Sequence, residues 1–181
     1  EWGLNKSWTL LSWMHFNAGR AHEAEEASWK AASHARSAGD VSEEMWGLVS
    51  ALGSAVFGPT PVVEAMTLSR EVLLHVKGHP GHEADASLLV AQLESMRGNV
   101  EAARAKIAHA RSLFRELGQT HSLAEMTDAA SVVEWYAGDL LAAEREKRSG
   151  YEAFRSMAAD AFQATWAAWL ADLLVLLDRD D

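Results

Sequence analysis

The chain has 181 residues, nearly half of them apolar, a formal charge of −10 and no cysteine. The acidic balance argues against non-specific binding to nucleic acid or to an anionic membrane surface, both of which favour cationic proteins. The absence of cysteine excludes a disulfide scaffold and a thiolate metal site and allows a cytoplasmic home, and no apolar run approaches the roughly 18 residues of a membrane-spanning helix.

Residues 1–17 read as a first helix, with Leu4, Trp8, Leu11 and Met14 able to share a face while Trp13 and Phe16 point elsewhere. Residues 20–38 read as its partner, with Glu23, Glu25 and Glu26 in the first turns, where the helix dipole favours acids. The next helix, 42–57, is built on Met45, Trp46, Val49, Leu52 and Val56 and contains Gly47 and Gly53. Each internal glycine costs about 1 kcal/mol against alanine, and close packing is the expected reason for both. A helix over 60–77 follows, with Pro61 expected at its first position. Gly78-His79-Pro80-Gly81 is the sharpest interruption and the expected hinge. Beyond it lie helices over 82–97, 99–117, 121–137, 139–157 and 160–177. The last ends in Leu173-Leu174-Val175-Leu176-Leu177, apolar nearly all round, and such a helix needs a cover.

The breaks between these helices are periodic. Gly19, Gly58, Gly98 and Gly138 recur at intervals of 39, 40 and 40 residues, and a second series, Gly39, Gly78, Gly118 and Ala158, falls about midway. Asp178 stands where the next glycine is due. Glycine is favoured just past a helix end because it enters the left-handed region without a Cβ penalty. Helix starts agree: Asn99 and Asp139 are good N-caps, while Asp40 with Glu43, Ser42 with Met45, Ser122 with Glu125 and Asp160 with Gln163 compete as starts elsewhere. Fixed offsets repeat too. Seven residues before the first-series breaks stand Ser12, Ala51, Ala91 and Ser131, with Ala171 extending the set. Five before stand Met14, Gly53, Leu93 and Val133; five after, Ala24, Val63, Ala103 and Ala143; sixteen after, Ala35, Leu74, Phe114 and Phe154. Such repetition marks stacked supersecondary units. The expected architecture is all-α, a right-handed solenoid of antiparallel helix pairs, about nine helices with a period near 40. One helical-repeat domain over 1–181 is expected, with pairs at 1–38, 40–77, 82–117 and 120–157 and a half-repeat at 160–178. The chain opens on Glu1-Trp2 and stops near an expected turn, so both ends read as cuts within a longer protein.

The period, the small-residue offsets and the paired helices resemble tetratricopeptide repeats. Closer still is a likeness to the tetratricopeptide-like region of large bacterial regulators, in which a class III adenylate/guanylate cyclase or a LuxR-type DNA-binding domain is joined to an AAA/STAND ATPase. Gly19 to Ala27, Phe57-Gly58-Pro59-Thr60-Pro61-Val62, Met96 to Ala103, Ala137-Gly138-Asp139 and the tail from Gly150 carry that likeness. The resemblance implies a non-catalytic arm that binds a protein or peptide partner, or an adjoining domain, and controls a distant output. It carries over no catalytic residue, cofactor or metal.

Candidate surface residues are Trp13, Phe16, Leu52, Val132 and Trp135, each three or six residues before a break. They read either as an aromatic groove for a peptide or small effector, since tryptophan anchors dominate many binding energies, or as rings filling the seam between helices. The C-terminal helix is a candidate self-association surface. His75, His79 and His82 gather round a turn but lack a carboxylate ligand pattern or an HExxH, and read as a solvated loop. Glu25-Glu26 and Glu43-Glu44 read as solvated faces, and Arg145, Lys147 and Arg148, interleaved with Glu144 and Glu146, as a mixed-charge surface.

Overall fold

A computed structural model describes residues 1–179. Every regular element among them is an α-helix: α1 (Trp2–Asn17), α2 (Ala21–Ala38), α3 (Val41–Phe57), α4 (Val62–Val76), α5 (Pro80–Met96), α6 (Val100–Glu116), α7 (Thr120–Glu125), α8 (Thr127–Tyr136), α9 (Leu140–Ser156) and α10 (Asp160–Leu176). None is long and apolar enough to cross a membrane. The residues group into two compact units, Glu1–Leu89 and Val90 onward.

In the first unit α1 packs on α2, α2 on α3 and α3 on α4. Pairings run in opposite senses along consecutive helices: Asn5 Nδ2 donates to the Ala31 carbonyl at 3.1 Å, and the Ser12 and Ser28 hydroxyls meet at 2.7 Å. Alanines at 24, 27, 31, 32 and 35 are all buried, so α2 lets both neighbours approach closely. Gly47 lies against Ala32, where an added Cβ would come within 2.9 Å of the Ala32 Cβ. The packing reason expected for Gly53 is absent, since its added Cβ would meet only the Leu89 side chain at an ordinary 3.8 Å. In the second unit α8 packs on α9 and on α6, and α9 packs on α10.

The glycine ladder forms the corners. Gly19, Gly39, Gly78, Gly98, Gly118 and Gly138 all have φ between +67° and +86°. The same corner is made without glycine at Ala158, φ +52°, and Asp178, φ +56°. A Cβ in this region costs about 1–2 kcal/mol. Ala158→Gly is therefore expected to raise stability by about 0.5–1 kcal/mol after the entropy of the added glycine is subtracted. Urea unfolding of the two proteins checks this; an unchanged or lower midpoint refutes it.

Gly58 departs from its series. It is extended, at φ −100° and ψ −167°, and an added Cβ would stand 2.5 Å from the Ser54 carbonyl oxygen. Helix α4 then begins only after Pro61, ψ 139°, which caps it instead of opening it. This moves α4 two residues along. Val63 and Leu74, which share their offsets with the buried Ala24 and Ala35, are 77% and 75% exposed, and Ala65 and Val76, two residues on, are fully buried in their stead.

Other boundaries also differ from expectation. Pro80 and Gly81 belong to the first turn of α5, so the expected hinge is a short turn. Asp40 caps α3 by accepting from the Glu43 amide at 3.1 Å, and Asp139 caps α9 through the Ala142 amide at 2.8 Å. Asn99 occupies a cap position, but its side-chain amide donates to Glu94 Oε2 at 2.7 Å. Ser122 lies inside α7, and Asp160 is already helical behind Ala159. The helix expected over 121–137 is interrupted at Met126, where Thr127 Oγ1 donates to the Ala124 carbonyl at 2.7 Å. Threonine back-bonding of this kind bends helices.

Candidate functional site

Helix α1 inverts the usual burial. Its buried residues are Asn5 and Ser12, while Trp2, Leu4, Leu10, Trp13, Met14 and Phe16 are all exposed. Of the expected face through Leu4, Trp8, Leu11 and Met14, Trp8 and Leu11 are half-buried while Leu4 and Met14 are exposed. Small polar residues let α1 sit close on α2, and the bulky residues turn outward and toward α3.

A groove of about 490 Å³ lies between α1 and α3, with Ser12, Ser28 and Ala31 among the residues at its base. Lys6, Leu10, Trp13 and Phe16 form one wall; Trp46, Gly47, Ser50 and Gly53 contribute to the other. Lys6, Leu10, Trp13 and Phe16 on α1, and Trp46, Ser50 and Gly53 on α3, recur every three or four residues, the spacing of a single helical face. Helix α3 is small along most of that face, and the hollow results. Phe16 is steadied by an edge contact to Phe57, ring centres 6.0 Å apart. At the far end Lys6 Nζ pairs with Glu43 at 2.6 Å. Four of the five lining hydroxyls are used within the protein: Ser12 and Ser28 bond each other, Thr9 donates to the Asn5 carbonyl at 3.0 Å, and Ser54 donates to the Ser50 carbonyl at 3.0 Å. What faces the hollow is therefore largely carbon.

Of the candidate residues, Trp13 and Phe16 line this groove. Leu52 is fully buried in the core and takes no part in a surface. Val132 is half-buried and Trp135 is 51% exposed, both in the second unit. The five do not form one site. Trp46, read from the sequence as core, is 47% exposed on the groove wall. Its signal was legible: a tryptophan followed by serine four residues on and glycine seven residues on leaves a ring with nothing beside it on its own face.

The histidine turn is not simply a solvated loop. His82 lies in the first turn of α5, half-buried, with Nε2 3.5 Å from the Ser42 hydroxyl. Burial and the neighbouring His79 push its pKa below the ordinary imidazole value, against the pull of Glu43. No three ligating side chains converge here or elsewhere among the described residues.

Two further arrangements lie in the second unit. A polar cleft carries Arg104, held by both carboxylate oxygens of Glu134 at 2.9 and 2.6 Å, and Arg111, held by both oxygens of Glu146 at 3.0 and 2.9 Å. Each guanidinium already has its carboxylate. The second arrangement corrects the reading of residues 144–148 as a mixed-charge surface. Glu144 and Lys147 are buried, at 5% and 6% exposure. Lys147 Nζ pairs with Asp128 and lies 4.2 Å from the Trp169 ring centre and 5.8 Å from that of Trp166. Burial pushes its pKa below the ordinary lysine value, and Asp128 works in the opposite direction. Glu144 accepts from Arg148 Nε at 2.6 Å. Around this core Phe154, Phe162, Trp166 and His121 are in ring contact.

No protein-family model matches the chain, and no curated protein matches it in sequence.

Proposed function

We propose that this chain is a non-catalytic, tetratricopeptide-like regulatory module of a cytoplasmic bacterial signalling or transcriptional regulator. It acts by shape, presenting a docking surface to a protein partner or an adjoining domain. The observation that carries this reading is the aromatic surface of the first unit. Trp13, Phe16 and Trp46 are each more than 40% exposed around one apolar groove. Exposed aromatics grouped in this way mark interaction sites more often than solitary ones do.

The test is a peptide selection. Phage-displayed peptides are enriched on the wild-type protein and measured against Trp13→Ala, which removes an exposed ring without touching the core. Peptides with a large apolar anchor are expected, losing about tenfold in affinity on the variant. Enriched peptides that bind both proteins equally would refute the docking surface.

A second reading, a sensor for a small effector, is favoured by the size of the groove. Its 490 Å³ lies within the roughly 300–1,000 Å³ of small-molecule pockets.

A further inference from the structure

Three properties of the α1/α3 groove decide what can occupy it. The first is volume. One turn of α-helix, about 10–12 Å across with a 5.4 Å pitch, fills roughly 400–600 Å³. A groove of about 490 Å³ therefore admits one apolar anchor or one compact molecule, not the body of a helix. The second is hydrogen bonding. An extended peptide would bring backbone N–H and C=O groups that need partners once buried. Ser12, Ser28, Thr9 and Ser54 already spend their hydroxyl hydrogens or lone pairs within the protein, and of the lining hydroxyls Ser50 alone is left, too few for a buried backbone. The third is charge. Lys6 is the charged residue among those described in the lining, and Glu43 neutralises it at 2.6 Å. An ionic ligand would lose its hydration and gain no free counter-charge.

What remains is carbon surface with two indoles and a phenyl ring, which suits flat or branched hydrocarbon groups. We infer that the groove binds one compact, uncharged, apolar small molecule. The inference rests on the effector reading above and supplies its ligand class. Gly53 fits the same account. It lines the groove, weakens α3 and has no packing reason in the fold.

The probe is N-phenyl-1-naphthylamine, an uncharged aromatic dye, titrated into the whole protein and followed by its fluorescence. Saturable binding of one dye per chain is expected. Ser50→Leu fills the hollow with carbon from a half-buried helical position and is expected to weaken the dye at least about tenfold while leaving the melting temperature unchanged or higher. Trp13→Ala, a change at a 64% exposed residue, removes a wall and gives the same loss should Ser50→Leu misfold. The sulfonated counterpart, 8-anilinonaphthalene-1-sulfonate, is expected to bind about tenfold more weakly. Non-saturable binding, undiminished binding to either folded variant, or equal binding of the sulfonate overturns the inference. Peptides from the selection above that bind while the dye does not would sink the small-molecule class and leave the docking module standing; the reverse pattern would do the opposite.

Discussion

Gly150→Ala is expected to lower stability by about 3 kcal/mol, combining overpacking with loss of a buried hydrogen bond. At this chain length that is a fall of about 6–12 °C in melting temperature. The reason is local. Trp166 Nε1 donates at 3.0 Å to Thr127 Oγ1, which itself donates to the Ala124 carbonyl. Gly150 on α9 lies directly beneath that pair, and an added Cβ would overlap both the Thr127 hydroxyl and the Trp166 indole. The indole is 5% exposed, meets Phe154 edge-on and is tilted against Phe162, so it cannot step aside cheaply. Gly53→Ala is the control. Its methyl meets only Leu89 at van der Waals distance, so it is expected to raise stability by up to about 1 kcal/mol. Thermal melts followed by near-ultraviolet circular dichroism, which reads the tryptophans, decide the matter. A Gly150→Ala protein within about 0.5 kcal/mol of wild type would show that the α8–α9–α10 junction is not packed as described.

Asp128→Asn should cost about 2 kcal/mol at neutral pH, below the 3–5 kcal/mol of a fully buried broken pair because the Asp128 side chain is 32% exposed. The variant keeps the shape and a hydrogen-bonding oxygen but leaves the Lys147 ammonium buried without its counter-charge. The pH dependence has a definite sign. Burial lowers the folded-state pKa of Lys147 below its ordinary 10.5, so the unfolded chain holds that proton more tightly. Stability from this group therefore rises as pH climbs through the folded pKa toward 10.5. Losing Asp128 removes the contribution that raises the folded pKa, which opens the window at lower pH. The deficit of Asp128→Asn against wild type should shrink between neutral and alkaline pH, as measured by urea unfolding. Lys147→Met in the same background should recover most of it, since carbon in place of a buried ion costs little. A deficit constant with pH, with no recovery by methionine, would mean that Lys147 reaches water.

Much of this fold could be read from the residues. Ser12, Ala51, Ala91 and Ser131 are all buried, as close approach between helices demands, though Ala171 at the same offset is exposed, and every ladder glycine but Gly58 makes a left-handed corner. Asp178 was flagged only by its place in the ladder, yet it adopts the corner conformation. The misses have physical causes. Val63 and Leu74 depart from their repeat positions because Gly58 is extended, and a two-residue slip rotates a helix by more than half a turn. Met126 was lost because a hydroxyl back-bond, invisible to apolar periodicity, interrupts the helix beside it. Lys147 and Glu144 looked like surface because charge patterning assumes solvent, and nothing local announces that two tryptophans and an aspartate will gather round an ammonium. The groove was half legible. Trp13 and Phe16 stood out by spacing, but Trp46 was absorbed into an apolar run, and whether a ring is covered depends on residues of another helix.

The tight corners between helices also bear on how each unit comes together. Ser12 finds Ser28, and Ser131 finds the Ala143 carbonyl, across segments of 16 and 12 residues. The widest of the side-chain hydrogen bonds described above, Ser42 to His82, spans 40. Closing such short segments forfeits little chain entropy. Low contact order of this sort goes with fast, locally nucleated assembly, so a helical hairpin can set while the following residues are still leaving the ribosome.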